Sequence, residues 1–291
     1  MVEVTKADYE YFNGAVRRYE TQSSVLISSS RYLNHPVLRE LMAQEMLRRN
    51  GPDMPNTAYI PEVAQILHDL EDMPEIFRLF ETEKQRLPEF RNWLDRKLLS
   101  DFKAEDVAHC KPGTLGHMIH DFIANSGFNM DVFFQGMKVD SDYTYYLKER
   151  ALTHDLEHMV TGFGPNNGGE LALIAANIRA AYKYFCPELA AYMNRVSNYL
   201  KAKSLMKSNL YYPKAVPIQI EAEERGYAQG RNWKFPLMML PWRELIDISV
   251  EEIREEYGIT DAPPPGYWED STPYSEDPRF PVEQAQSIAA E

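Results

Sequence analysis

The chain has 291 residues, of which 44% are hydrophobic, and a formal net charge of -13; it can bury a sizeable core as one large domain or two small ones. The acidic surplus argues against a nucleic-acid partner, because phosphate-binding surfaces need a basic one. No run reaches the roughly 18–20 apolar residues of a membrane-spanning helix, and Glu3, Asp8 and Glu10 stand where a secretory or organellar presequence would be acid-poor.

These features point to a cytoplasmic protein, with a bacterial cytoplasm as the simplest setting. Cys110 and Cys186 lack CxxC spacing, which suits a reducing compartment; both read as ordinary core or surface thiols.

In chain order the sequence reads as helix after helix. Proline precedes apolar-periodic runs at Pro36, Pro61, Pro74, Pro88, Pro187 and Pro241, positions where a helix accepts it in the first turn. The sets Val37-Leu38-Leu41-Met42-Met46-Leu47 and Ile76-Phe77-Phe80 have helical spacing. Asn50 to Asn56 reads as a loop. Lys111-Pro112-Gly113-Thr114-Leu115-Gly116 feeds a helix from Leu115 to about Asn125, which carries His117 and His120 three apart, a weak second metal candidate. No Asn-Gly or Asp-Gly hairpin stands between alternating runs, so the expected fold is all-α, a multi-helix bundle.

Tyr143 through Gly162 reads as one helix. Positions four apart differ by about 40° in direction and 6 Å in height, so His154 and His158 can face one ion. Asp155 follows the first histidine where zinc proteases carry Glu, and a ligand or supporting role suits this shorter acid better than that of general base. A Gly-rich turn, Gly162 to Gly169, then leads into Glu170 and a second helix through Ile174 and Ile178. The two adjacent helices could thus present two histidines and one or two carboxylates, a set open to zinc, iron, manganese or cobalt. Ordinary surface or core histidines remain the alternative.

Between Leu189 and Ile220 there is no acid, while Arg195, Lys201, Lys203, Lys207 and Lys214 alternate with Tyr, Leu and Met. This reads either as a solvated helix face or as a contact for anionic lipid or phosphate. The apolar residues around 182 to 212 are either core or the walls of a greasy channel. After Ile259 the chain turns Pro-rich and acidic, which predicts an extended or disordered tail.

The pattern His154-Asp155-x-x-His158, with Thr161-Gly162 and Gly169 ahead of Glu170, resembles the signature of the ubiquinone (coenzyme Q) biosynthesis protein Coq-four family. The resemblance continues at Pro112-Gly113-Thr114-Leu115-Gly116, at Glu224-Arg225-Gly226-Tyr227-x-x-Gly230-Arg231 and at Trp242-Arg243-Glu244-Leu245. It covers roughly residues 101 to 259, leaving 1–100 as an N-terminal helical extension and 261–291 as the tail.

The resemblance implies an α-helical, membrane-peripheral protein of quinone biosynthesis, with a divalent metal held by His154, Asp155, His158 and Glu170. Two functions follow as expectations. One is oxidative decarboxylation of a prenylated hydroxybenzoate ring, the carboxylate being replaced by hydroxyl; the other is a metal-containing prenyl-lipid-binding scaffold that organises a biosynthetic complex without turnover. Expected partners are a prenylated quinone precursor or other isoprenoid lipid, the inner face of a bacterial inner membrane and other quinone-biosynthesis proteins, with room for a homodimer.

Overall fold

A computed structural model describes residues 30–49, 59–126 and 136–271. Proline opens helices in the first turn, where its locked φ and missing N–H cost least. Pro36 begins α1 (Pro36–Leu47), Pro61 sits in the first turn of α2 (Ile60–Asp69), Pro74 in that of α3 (Met73–Arg86), and Pro88 begins α4 (Pro88–Arg96). The single turn α5 (Ala104–Val107) leads to α6 (Leu115–Ser126), the helix expected after the Lys111–Gly116 loop. Then come α7 (Asp142–Leu152), α8 (His154–Thr161), α9 (Asn167–Tyr184), α10 (Pro187–Tyr211), α11 (Val216–Asn232) and α12 (Val250–Tyr257). Among the described residues there is no strand, and the all-α expectation holds.

Two local expectations fail. Pro241 opens only a 3₁₀ turn, Trp242–Glu244, and the following helix starts at Val250, where Ser249 and Glu252 cap each other's backbone N–H groups. The helix expected to run unbroken from Tyr143 to Gly162 divides at Thr153. There the Thr153 hydroxyl donates to Glu157 at 3.3 Å, tying the junction to a buried carboxylate.

Helix α9 forms the centre because its residues are small. Ala172, Ala175 and Ala176 are fully buried, and α11 presses Gly226 and Gly230 against them. A Cβ at Gly226 would stand 2.1 Å from the Ala172 carbonyl oxygen, and one at Gly230 would stand 2.2 Å from that of Ala176. Only glycine permits backbones this close.

The N-terminal helices share core with the rest of the chain. Leu38, Leu41, Val63 and Leu67 of α1 and α2 cluster with Tyr199 of α10, while Phe80, Phe90 and Trp93 of α3 and α4 pack with Tyr145, Tyr146 and Phe185. The acidic N-terminus and the expected loop at Asn50–Asn56 lie outside the described residues.

Both readings of the basic stretch give way to a third, because most of its cations turn inward to carboxylates. Lys203 pairs with Glu45 in the interior, Arg195 meets Glu71 at 3.1 Å and stacks on Tyr192, and Lys201 reaches Glu223 and the Tyr227 hydroxyl. Lys207 is also buried, leaving Lys214 as the exposed cation of the set. The apolar residues around 182 to 212 divide in the same way: Leu189, Tyr192 and Tyr199 are core, whereas Tyr182, Met206 and Leu210 are exposed.

The tail expected to be extended instead begins as a packed strap. Trp268 is buried against Phe163, and the Ser271 hydroxyl accepts from the Gly168 N–H at 2.9 Å. Residues 272–291 lie outside the described residues.

Candidate metal centre

The short helix α8 carries both histidines, and Gly162 ends it in the left-handed conformation at φ 75° that favours glycine. The Gly162 N–H closes back to the His158 carbonyl at 3.1 Å, and Arg254 of α12 donates to the Val160 carbonyl at 2.7 Å, so the helix end is well satisfied. Asn166 then caps α9, its side chain accepting from the Gly169 N–H at 2.8 Å. A Cβ at Gly169 would lie 1.8 Å from the Gly164 carbonyl oxygen. The turn closes only because position 169 has no side chain, and that closure sets Glu170 opposite α8.

Glu170 reaches both histidines, one with each oxygen: Oε2 lies 3.4 Å from His154 Nε2, and Oε1 lies 3.3 Å from His158 Nε2. The three side chains bring one donor atom each within 4.8 Å of one another. His158 is aimed by its own fold. Its Nδ1–H donates to the Phe163 carbonyl at 2.7 Å, which leaves the Nε2 lone pair for the site. That Nε2 is buried and has no hydrogen-bond partner in the protein. A buried imidazole nitrogen without a partner is costly.

Asp155 does not join the converging donors. Successive helical positions diverge by about 100°, and its carboxylate stands 3.3 Å from His154 Nδ1, on the ring's far nitrogen. Of the four expected ligands, His154, His158 and Glu170 converge, and Asp155 stands behind His154. His117 and His120 each lie near an oxygen of Asp121, at 3.4 and 3.5 Å, and these three do not form a group of donors mutually within 4.8 Å.

Charge in the site is strongly coupled. Burial lowers the His154 pKa, but the Asp155 and Glu170 carboxylates outweigh it and lift the group to about 10. Burial raises Glu170, and the two imidazoles outweigh that, holding its carboxylate well below the ordinary range. Beneath the histidines, Glu157 is fully buried and accepts from Asn177 Nδ2 at 2.7 Å, with Arg150 and Thr153 each at 3.3 Å. Sequence reasoning passed over this second layer. Its one signal is an acid on the core-facing side of α8; the Phe163 carbonyl carries no signal, since every residue has one.

The donor set fits a divalent cation. At usual bond lengths, neighbouring nitrogen and oxygen ligands of a tetrahedral ion stand about 3.4 Å apart. The Glu170 distances match that edge and exceed a good hydrogen bond of about 2.9 Å.

Residues 94–263, more than half of the chain, match the family described as Coenzyme Q (ubiquinone) biosynthesis protein Coq4. The chain belongs to the Coq4 family. Among curated relatives, it is 26% identical over 163 residues to the mitochondrial ubiquinone biosynthesis protein COQ4 of Eremothecium gossypii, covering 55% of this chain and 45% of that protein. The Lachancea thermotolerans protein of the same name is 29% identical over 161 residues, covering 53% and 42%. The chain thus matches less than half the length of these Coq4 relatives. A Nostoc punctiforme crystal structure, provisionally named a ubiquinone biosynthesis protein, superposes with a TM-score of 0.58. It is 24% identical, covers 77% of this chain and 95% of that one, and shares the fold. No helix among the described residues is long and apolar enough to cross a membrane. Both named Coq4 relatives are mitochondrial, so they lend nothing to the expected bacterial setting.

Proposed function

We propose that the chain is a metal-dependent protein of ubiquinone biosynthesis and that it catalyses oxidative decarboxylation of a prenylated hydroxybenzoate-type ring. In the net change the ring–carboxylate bond breaks, carbon dioxide leaves and a ring–hydroxyl bond forms with oxygen from water, while the two electrons and two protons released reduce dioxygen to hydrogen peroxide. The observation that carries the reading is the convergence of His154 Nε2, His158 Nε2 and the Glu170 carboxylate, with the His158 nitrogen buried and making no good hydrogen bond. His154, His158 and Glu170 would hold the ion. Bound there, a redox-active metal such as iron, cobalt or manganese supplies Lewis acidity and access to oxygen, whereas zinc supplies Lewis acidity alone.

The chain's own residues set the conditions for that chemistry. Phe163 keeps the His158 proton on Nδ1 through its carbonyl, and Asp155 does the same for His154. Glu170 supplies the negative charge that offsets the cation. Its side chain and that of His154 are each 39% exposed, against 8% for His158, so the cluster opens on one side to a substrate. For the isoprenoid portion, Met206, Leu210 and Ile220 are apolar side chains left exposed on the surface. Peripheral contact with a membrane would then rest on these side chains and not on the basic stretch, whose cations are largely committed inward.

The test is turnover and metal content together. Purified protein given iron, cobalt or manganese, oxygen and a prenylated hydroxybenzoate should release carbon dioxide, and His158→Ala should lose both metal and turnover. Full metal occupancy in His158→Ala would sink the ligand assignment. Retained metal and ligand binding without carbon dioxide release, with every first-row divalent metal, would favour a non-catalytic scaffold presenting prenylated intermediates to other quinone-biosynthesis proteins.

A further inference from the structure

A second cluster of metal-capable side chains stands apart from the histidine helix. His109 and Cys110, just after α5, meet Asp247 from the segment ahead of α12, and one donor atom of each lies within 4.8 Å of the other two. His109 Nε2 is 3.8 Å from Cys110 Sγ. For a tetrahedral zinc ion, a nitrogen and a sulfur ligand stand about 3.6 Å apart at ordinary bond lengths. Cys110 is buried, whereas His109 and Asp247 are exposed, so the sulfur forms the floor and solvent reaches the other two donors.

The backbone holds this arrangement from both sides. The Cys110 N–H returns to the Val107 carbonyl at 3.1 Å. At the start of α6, the Leu115 N–H donates to Ile248 O at 2.9 Å and the Gly116 N–H to Ile246 O at 2.8 Å. These two bonds bracket Asp247, and the Thr114–Ser249 bridge extends the clamp. Gly116 makes the approach possible: a Cβ there would stand 2.4 Å from Cys110 Sγ and 2.8 Å from the Ile246 carbonyl oxygen. Donors fixed by rigid backbone lose little freedom on binding an ion.

We propose that His109, Cys110 and Asp247 form a second cation site, selective for a thiophilic divalent ion of the zinc class, with its fourth position open to water. A thiolate, an imidazole and a carboxylate make a softer set than the two imidazoles and carboxylate of the first site, so the two sites differ in metal preference. Binding transfers the Cys110 thiol proton to solvent as the sulfur–metal bond forms.

Cobalt(II) as the probe tests this directly, because a thiolate ligand gives a sulfur-to-cobalt charge-transfer band that the first site's nitrogen and oxygen donors cannot. In the full chain carrying His158→Ala, cobalt should produce the band at one equivalent, and zinc should displace it. Adding Cys110→Ser should abolish the band, adding Cys186→Ser should leave it, and His109→Ala or Asp247→Asn should weaken binding at least tenfold. His109 and Asp247 are exposed, so these two variants test the ligands without disturbing the core. Absence of the band at millimolar cobalt, its survival in Cys110→Ser, or unchanged affinity in both His109→Ala and Asp247→Asn would overturn the site. Because the background already lacks His158, the outcome is independent of the first site's chemistry.

Discussion

At the scale of single residues, His154 and His158 are not equivalent. His158 is held by a backbone carbonyl that no substitution can remove, whereas His154 leans on Asp155, a side chain that can be changed. Asp155→Asn should therefore keep metal binding but weaken it by about 10–100-fold, the usual cost of losing an orienting partner; a competition titration measures this. Loss of all binding would put Asp155 on the ion itself. Glu149 offers a separate test. It is buried and accepts from the Ser100 N–H at 2.8 Å and the Ser100 hydroxyl at 2.6 Å, yet burial lifts its pKa to about 7. Its folded pKa lies above the unfolded value, so its stabilising contribution is complete below about pH 4 and declines as pH rises through about 7. The decline is on the order of 3 kcal/mol. In urea unfolding from pH 4 to 8, Glu149→Gln should show a flatter profile than the wild-type chain, and identical slopes would refute the assignment.

At the scale of elements, the crossing of α9 and α11 is set by missing side chains. Replacing Gly with Ala in an exposed helix normally stabilises by roughly 0.5–1 kcal/mol. In Gly230→Ala, however, the added carbon meets the Ala176 carbonyl oxygen at 2.2 Å, so the net effect should be destabilisation by about 1–3 kcal/mol. A lower denaturation midpoint with unchanged slope is the expected result; an unchanged midpoint would mean that the helices part at no cost. The proline-led starts at Pro36, Pro61, Pro74, Pro88 and Pro187 were legible in the sequence because the constraint lies within one residue. The division at Thr153 was not, since the apolar period runs straight through it and the hydroxyl's target, Glu157, is recognisable only once its burial is known.

At the scale of the whole molecule, the strap through Trp268 and Ser271 ties the segment after α12 to the turn that positions Glu170. Trp268 packs on Gly168, where an added Cβ would stand 2.6 Å from the indole, and Ser271 holds the Gly168 N–H. Trp268→Ala should lower stability by about 3–5 kcal/mol and speed amide exchange at Gly168 and Gly169. Unchanged exchange there would show that the turn holds without the strap. The helical class and the meeting of His154, His158 and Glu170 could be read from the chain alone, because a four-residue helical spacing and a glycine turn are short-range geometry. Charge could not be read this way. Lys203 belongs to a basic stretch but pairs with the buried Glu45, Cys110 meets Asp247 from far along the chain, and the Pro-rich segment carries Trp268 against Phe163. Composition records which groups a chain carries, but burial and pairing depend on residues distant in sequence, and only the packed structure brings those together.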